Sequence, residues 1–127
     1  MAVSAQRILI VDDDKDTLSN LSDILSDVGY ETETACDGQV ALEKVASLSE
    51  RRADIDVCLL DFRMPGMDGV ELLERIRTTL PNLRAIMITA YAGDDGLKRA
   101  VAAGTWKVLK KPVDIVALLG LIDEAVA

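Results

Sequence analysis

Short apolar runs alternate along the chain with segments of helical periodicity. The apolar runs predict five strands, at Arg7–Val11, Glu31–Ala35, 55–60, Arg84–Thr89 and 106–109. Between and after these runs, apolar residues recur every three or four positions, which predicts five helices. The weakest of these covers residues 93–103, where two glycines leave only Leu97 and Val101 as larger anchors.

The regular alternation of strand and helix predicts one α/β domain. The first, third and fourth strands are continuous apolar runs, as expected when helices cover both faces of a parallel sheet. Right-handed crossovers then give a doubly wound fold. With 127 residues and no linker or low-complexity tract, residues 1–127 are expected to form a single domain.

Composition narrows the function more than the fold. The chain has 14 basic and 22 acidic residues, a net charge of −8, which argues against binding of nucleic acid or of an anionic membrane by this chain alone. No apolar run approaches the roughly 20 residues of a membrane span, and residues 1–6 lack the apolar core of a signal peptide. A cytoplasmic location is therefore expected. The absence of histidine excludes Ser-His and Cys-His catalysis.

Polar residues collect where the predicted strands end. Asp12 and Asp13 follow the first strand, Asp61 ends the third, Thr89 ends the fourth and Lys111 follows the fifth. In a doubly wound sheet, ligands bind beyond the carboxyl ends of the strands, at the point where strand order reverses. These residues are therefore expected to converge on one pocket.

Converging carboxylates must be offset by positive charge. Two unit charges about 4 Å apart repel by about 4 kcal/mol at an effective dielectric of about 20. Lys111 offsets part of this repulsion, and a divalent cation is the natural remainder. Ligands that are all oxygen atoms suit Mg²⁺ or Mn²⁺ rather than zinc. Asp61 would then be a carboxylate nucleophile beside a phosphoryl-binding site, which suggests acyl phosphate formation on Asp61.

Four motifs in this order resemble the receiver domain of bacterial two-component response regulators. They are ILIVDDD at the first strand, LLDFRMPGMDG at the third, MITAY at the fourth and KKP after the fifth. The resemblance covers a core of about residues 7–126 and implies a flavodoxin-like sheet of strand order 2-1-3-4-5, with no output domain in this chain. It also implies a phosphorelay switch that signals to an unknown effector through its strand 4 to strand 5 face.

The resemblance also assigns roles to individual residues. Asp61 would accept the phosphoryl group from a phosphohistidine on a histidine kinase or histidine phosphotransfer protein. Asp13, Asp61 and the backbone carbonyl of Arg63 would ligate Mg²⁺, and Asp12 would act mainly through a coordinated water. Thr89 would hydrogen-bond the phosphoryl group and shift when it arrives. Lys111 would form a salt bridge to it, and the peptide bond that follows Lys111 is commonly cis in this family.

Two positions bear on how such a switch works here. The family often has an aromatic residue three positions before the lysine, where this chain has Val108. Rotamer switching of an aromatic is therefore not expected, although the movement of Thr89 is. The side chains of Arg63 and Tyr91, two residues beyond Asp61 and Thr89, are expected to flank the site and tune the lifetime of the phosphoryl group.

Other functions and simpler structural roles remain open at this stage. A Mg²⁺-dependent phosphatase with an aspartyl phosphate usually has a second acid where this chain has Arg63. A flavin-binding domain needs a Ser/Thr/Gly phosphate loop where the three aspartates lie. A degenerate receiver would bind partners without phosphorylation. Asp14 and Asp68 are expected to be helix caps, Lys110 to be solvated and Trp106 to be partly in the core.

Overall fold

A computed structural model describes residues 6–90 and 93–127. Its strands are β1 (Arg7–Val11), β2 (Glu31–Ala35), β3 (Val57–Asp61), β4 (Arg84–Thr89) and β5 (Lys107–Lys110). Its helices are α1 (Lys15–Asp27), α2 (Gly38–Glu50), α3 (Gly69–Thr79), α4 (Asp94–Ala102) and α5 (Ile115–Val126). The longest of these helices have 13 residues, and none has the length and hydropathy that crossing a bilayer would require.

The five strands form one parallel sheet in the order β2-β1-β3-β4-β5, which confirms the predicted doubly wound fold. Strand order reverses between β1 and β3, and this is the crevice where such sheets bind ligands. The carboxyl ends of these two strands are in register, with Val11 paired to Leu60. Residues that follow β1 therefore meet residues at the end of β3.

The sheet separates two aliphatic cores. Along β1, Leu9 and Val11 face a core shared with α2, α3 and Ala100 of α4, whereas Ile8 and Ile10 face a core shared with α1 and α5. Successive residues of a strand point to opposite faces, so a strand buried on both sides must be apolar throughout. This explains the continuous apolar runs of β1, β3 and β4.

Aspartate caps fix where four of the helices begin. Asp14, Asp37, Asp68 and Asp114 each precede a helix and accept a hydrogen bond from a backbone N–H of its first turn. These bonds satisfy donors that lack a partner within the helix. The predicted capping roles of Asp14 and Asp68 are confirmed. Lys110 is exposed and Trp106 is half-buried, also as predicted.

The predicted anchors of α4 are wrong. Leu97 and Val101 are 45% and 64% exposed, whereas Ala100 is 1% exposed and belongs to the core on the α2 and α3 side. Periodicity identifies the residues that share a helix face, but both faces of α4 carry apolar residues, so it does not identify the buried face. The other differences are shifts of a few residues at element ends; Asp61, for example, lies within β3.

We predict that Gly69→Ala destabilises the protein. A Cβ at Gly69 would lie 2.5 Å from the backbone oxygen of Asp61 and 2.7 Å from the sulfur of Met87. Overpacking of this kind lowers the free energy of unfolding by about 1–3 kcal/mol. Gly120→Ala is the control, because nothing lies within 4 Å of its Cβ position. There alanine should raise stability by about 0.5–1 kcal/mol. Urea denaturation measures both, and equal effects would contradict the prediction.

Candidate functional site

Three aspartates meet at the carboxyl ends of β1 and β3. Asp12 and Asp61 are 4% and 6% exposed, whereas Asp13 faces solvent. One carboxylate oxygen from each of the three lies within 4.8 Å of the others. The convergence that the sequence predicted for Asp12, Asp13 and Asp61 is thus observed.

Backbone hydrogen bonds hold the two acidic loops in place. The N–H of Asp12 donates to the carbonyl of Ala35 at 3.2 Å, and the carboxylate of Asp12 accepts from the N–H of Asp14 at 2.9 Å. Beyond Asp61, the N–H of Phe62 donates to the carbonyl of Ile88 at 2.8 Å. The carboxylates are therefore placed by the sheet itself.

Lys111 supplies the positive charge that the site needs. Its Nζ lies 3.3 Å from Oδ2 of Asp12 and 3.5 Å from Oδ2 of Asp61. Burial lowers the pKa of Lys111, but attraction to Asp61 and Asp12 outweighs burial, so its pKa is raised overall. The Lys111–Pro112 peptide bond is cis, as the resemblance led us to expect.

The environment of Asp61 raises the pKa of its carboxyl group. Burial, together with repulsion from Asp12 and Asp13, raises its pKa to about 6, although Lys111 and a backbone hydrogen bond from Arg63 oppose the rise. Asp61 is still mostly ionised at neutral pH. It therefore keeps a nucleophilic carboxylate, but one that would be stabilised by additional positive charge.

Thr89 lies at the same edge of the sheet. Its side chain is buried at the end of β4, one residue beyond Ile88, which pairs with Asp61. Its carbonyl accepts the backbone N–H of Lys111 at 2.8 Å. The end of β4 and the lysine are thus tied together, whatever their side chains bind.

The positions expected to tune the site differ in what the structure shows. The side chain of Arg63 is exposed, and Tyr91 lies outside the described residues. Val108 is half-buried against the core on the α2 and α3 side, while Trp106 packs on the opposite core. Trp106 therefore lies on the wrong side of the sheet to replace an aromatic at position 108.

Sequence reasoning missed one contact beside the site. Arg99 of α4 forms an ion pair with Asp68, the cap of α3, at 2.9 Å. The sequence indicates only a capping role for Asp68 and gives no signal for Arg99. The two residues are 31 positions apart, so no local spacing signals the contact.

The donor set fits a hard divalent cation. Asp12, Asp13 and Asp61 offer only oxygen atoms, and the chain has no histidine. Magnesium and manganese prefer such ligands, and magnesium retains several waters when it binds. The exposed side of the cluster at Asp13 leaves room for those waters.

We predict that Asp61→Asn stabilises the metal-free protein at neutral pH. Folded Asp61 holds its proton up to about pH 6, whereas an ordinary aspartate loses it near 3.8. The folded state binds more protons in this window, so wild-type stability falls as pH rises through it. At pH 7.5 the free energy of unfolding of the variant should exceed that of wild type by about 1–2 kcal/mol, a value reduced to allow for solvent screening.

Urea denaturation at pH 7.5 and pH 4 without divalent cations measures this difference, which should shrink at the lower pH. Asp23→Asn, at an exposed position on α1, is the control and should change little. A difference between Asp61→Asn and wild type that is independent of pH would contradict the prediction.

Known proteins place this fold and pocket in a family. The family model for the response regulator receiver domain matches residues 8–123. A response regulator receiver protein of Anaeromyxobacter sp. (strain Fw109-5) is 41% identical over 116 residues, which are 91% of this chain and 47% of the relative. Sporulation initiation phosphotransferase F of Bacillus subtilis (strain 168) is 37% identical over 110 residues, 87% of this chain and 85% of that protein. The chain thus spans about half the length of the first relative.

Comparison with solved structures supports the same family. A CheY-like receiver domain from Methanospirillum hungatei JF-1 has a TM-score of 0.88 at 35% identity, with 97% of this chain and 94% of that chain covered. A chain of the CheX-CheY-BeF3-Mg²⁺ complex from Borrelia burgdorferi has a TM-score of 0.82 at 31% identity, with 96% of this chain and 90% of that chain covered. The chain therefore belongs to the receiver-domain family of two-component response regulators, whose members are phosphoacceptor switches rather than enzymes in the usual sense.

Proposed function

We propose that this protein is switched by a phosphoryl group that Asp61 accepts from a phosphohistidine on a partner protein, with the assistance of Mg²⁺. One observation carries the proposal. The buried Asp61 carboxylate lies within 4.8 Å of the oxygens of Asp12 and Asp13 and 3.5 Å from Nζ of Lys111. This arrangement supports a nucleophile that would act between a bound cation and the ammonium group of Lys111.

The transfer itself needs little from the protein beyond position and charge. A carboxylate oxygen of Asp61 attacks phosphorus while the P–N bond to the donor imidazole breaks. The imidazole leaves with the bonding electron pair and takes up a proton. The product is an acyl phosphate on Asp61, which water later hydrolyses to restore the carboxylate.

The acidic cluster supports a cation in this reaction. Asp13, Asp61 and the carbonyl of Arg63 would hold Mg²⁺, or Mn²⁺ in its place, with Asp12 acting through a water. When bound, the cation supplies positive charge to the phosphoryl oxygens in the transition state. The pKa of Asp61 is consistent with this assignment, because repulsion from Asp12 and Asp13 adds to the effect of burial in raising it, and a bound cation would oppose both.

Lys111 and Thr89 would bind the oxygen atoms of the phosphoryl group once it is attached to Asp61. The ammonium of Lys111 already lies between Asp12 and Asp61, so it can pair with a phosphoryl oxygen attached to Asp61. The Thr89 hydroxyl would donate a hydrogen bond to a second oxygen. Because the backbone of Lys111 bonds the carbonyl of Thr89, movement of either residue reaches both β4 and β5. These strands would carry the signal to the effector-binding face.

The relatives indicate the kind of donor. Response regulator homologues imply a histidine kinase or histidine phosphotransfer protein upstream and an effector downstream. The absence of histidine from this chain is consistent with a donor on another protein. The exposed side chain of Arg63 would flank the site, where with Tyr91 it would tune the lifetime of the acyl phosphate.

We predict that the protein acquires one phosphoryl group from phosphoramidate in the presence of Mg²⁺. Phosphoramidate is a suitable probe because its P–N bond resembles that of phosphohistidine, and acetyl phosphate provides a P–O comparison. Intact mass spectrometry should detect a single addition that is absent from Asp61→Asn. Thr89→Ala should retain Mg²⁺ binding but be impaired in phosphorylation.

The outcomes of this experiment separate the remaining functions. Addition to Asp61→Asn at the wild-type level would place the phosphoryl group elsewhere. No addition with either donor, while Mg²⁺ still binds, would instead indicate a degenerate receiver that acts as a phosphorylation-independent binding module.

We predict that Asp13→Ala abolishes Mg²⁺ binding. The remaining carboxylates, Asp12 and Asp61, already share Lys111, so the variant loses a ligand that no other side chain of the cluster replaces. Calorimetric titration with Mg²⁺ measures the change. Asp16→Ala is the matched control, since it removes the same charge from an exposed position on α1. Equal affinity in Asp13→Ala and wild type would disprove the metal assignment.

A further inference from the structure

Helix α4 has few anchors among the described residues. Of the α4 side chains whose burial is described, Ala100 alone is buried. The residue before the helix, Gly93, offers no side-chain cap, in contrast to the aspartates that cap the other four helices. Polar contacts therefore contribute a large part of what positions α4.

Two arginines provide such contacts with α3. The guanidinium of Arg77 donates to the carbonyl of Gly104 at 2.8 Å and to the carbonyl of Pro81 at 3.0 Å. These bonds secure the turn after α4 to α3. Farther into α4, the guanidinium of Arg99 donates to Oδ2 of Asp68 at 2.9 Å.

Asp68 is the last residue of the loop between Asp61 and α3 (residues 62–68, the Asp61 loop), so it connects this ion pair directly to that loop. Its Oδ1 accepts the backbone N–H of Glu71 at 2.9 Å and caps α3, while Oδ2 accepts from Arg99. The next residue, Gly69, donates its N–H to the carbonyl of Phe62 at 2.9 Å. Gly69 also lies so close to the Asp61 carbonyl that a Cβ would be 2.5 Å from it. Because these contacts are close, a shift of the loop after Asp61 should displace Asp68 as well.

We propose that the Asp68–Arg99 ion pair holds α4 in its unphosphorylated position and that phosphorylation of Asp61 loosens it. Arg99 and Asp68 are positioning residues, because they act through α4 and the Asp61 loop and do not touch the reacting atoms. The inference rests on the proposed function, since it concerns regulation of the same site.

The ion pair is partly exposed, so its loss should shift the conformational equilibrium of α4 rather than unfold the protein. Its side chains are 52% and 31% exposed for Arg99 and Asp68. Pairs of this kind support changes of about two- to fivefold in a conformational equilibrium. Removing the pair should therefore increase α4 mobility and the rate of phosphorylation by that factor, while overall stability changes little.

The test combines hydrogen–deuterium exchange of the unphosphorylated protein with phosphorylation by phosphoramidate and Mg²⁺. Arg99→Gln should exchange faster in α4, with α1 and α5 unchanged, and should be phosphorylated about two- to fivefold faster. Asp68→Asn should match it, because asparagine retains the cap but not the charge. The double variant should show no further effect, and Arg99→Lys should restore much of the wild-type behaviour. Wild type itself should exchange faster in α4 once phosphorylated.

Lys98→Gln is the matched control, since it removes the same charge from an exposed position on the same helix. An Arg99→Gln variant that matches wild type or Lys98→Gln in α4 exchange would overturn the proposal. Additive effects of Asp68→Asn and Arg99→Gln would overturn it as well. Failure of the proposed function is distinguishable, because then wild type acquires no phosphoryl group, whereas the exchange measurements need no phosphorylation.

Discussion

The repulsion among three aspartates at one edge of the sheet is the constraint on which this structure depends. Free carboxylates in water would move apart. Here β1 and β3 are neighbours in a sheet buried on both faces, so Asp12 and Asp61 are fixed where the strands end. Lys111 offsets part of the repulsion, but burial and the neighbouring carboxylates together still raise the pKa of Asp61. Folding energy from the aliphatic cores thus maintains a pocket that favours added positive charge.

Much of the fold and of the pocket could be predicted from the sequence. Apolar runs and helical spacing were sufficient for the parallel sheet, because burial on both faces leaves little freedom in composition. The carboxyl-end rule then brought Asp12, Asp13, Asp61 and Lys111 together without any coordinates. The resemblance supplied the strand order and the cis peptide bond after Lys111, which local patterns do not encode.

What the sequence could not predict depends on tertiary contacts. The buried face of α4 was misassigned, because Ala100 rather than Leu97 or Val101 meets the core. The Asp68–Arg99 ion pair joins residues far apart in sequence, and both have common alternative roles as a cap and a solvated cation. Both misses concern α4, the helix whose own sequence specifies its position least.

The alternation of core-facing residues along β1 has a consequence for communication. The two helical layers share no core, because the sheet lies between them. The pocket draws on both sides, since Lys111 leads into α5 whereas the Asp61 loop leads into α3. A phosphoryl group held there would contact segments that lead into both helical layers, whose cores are separate. One chemical event at the pocket could therefore act on both helical layers, each through the segment that leads into it.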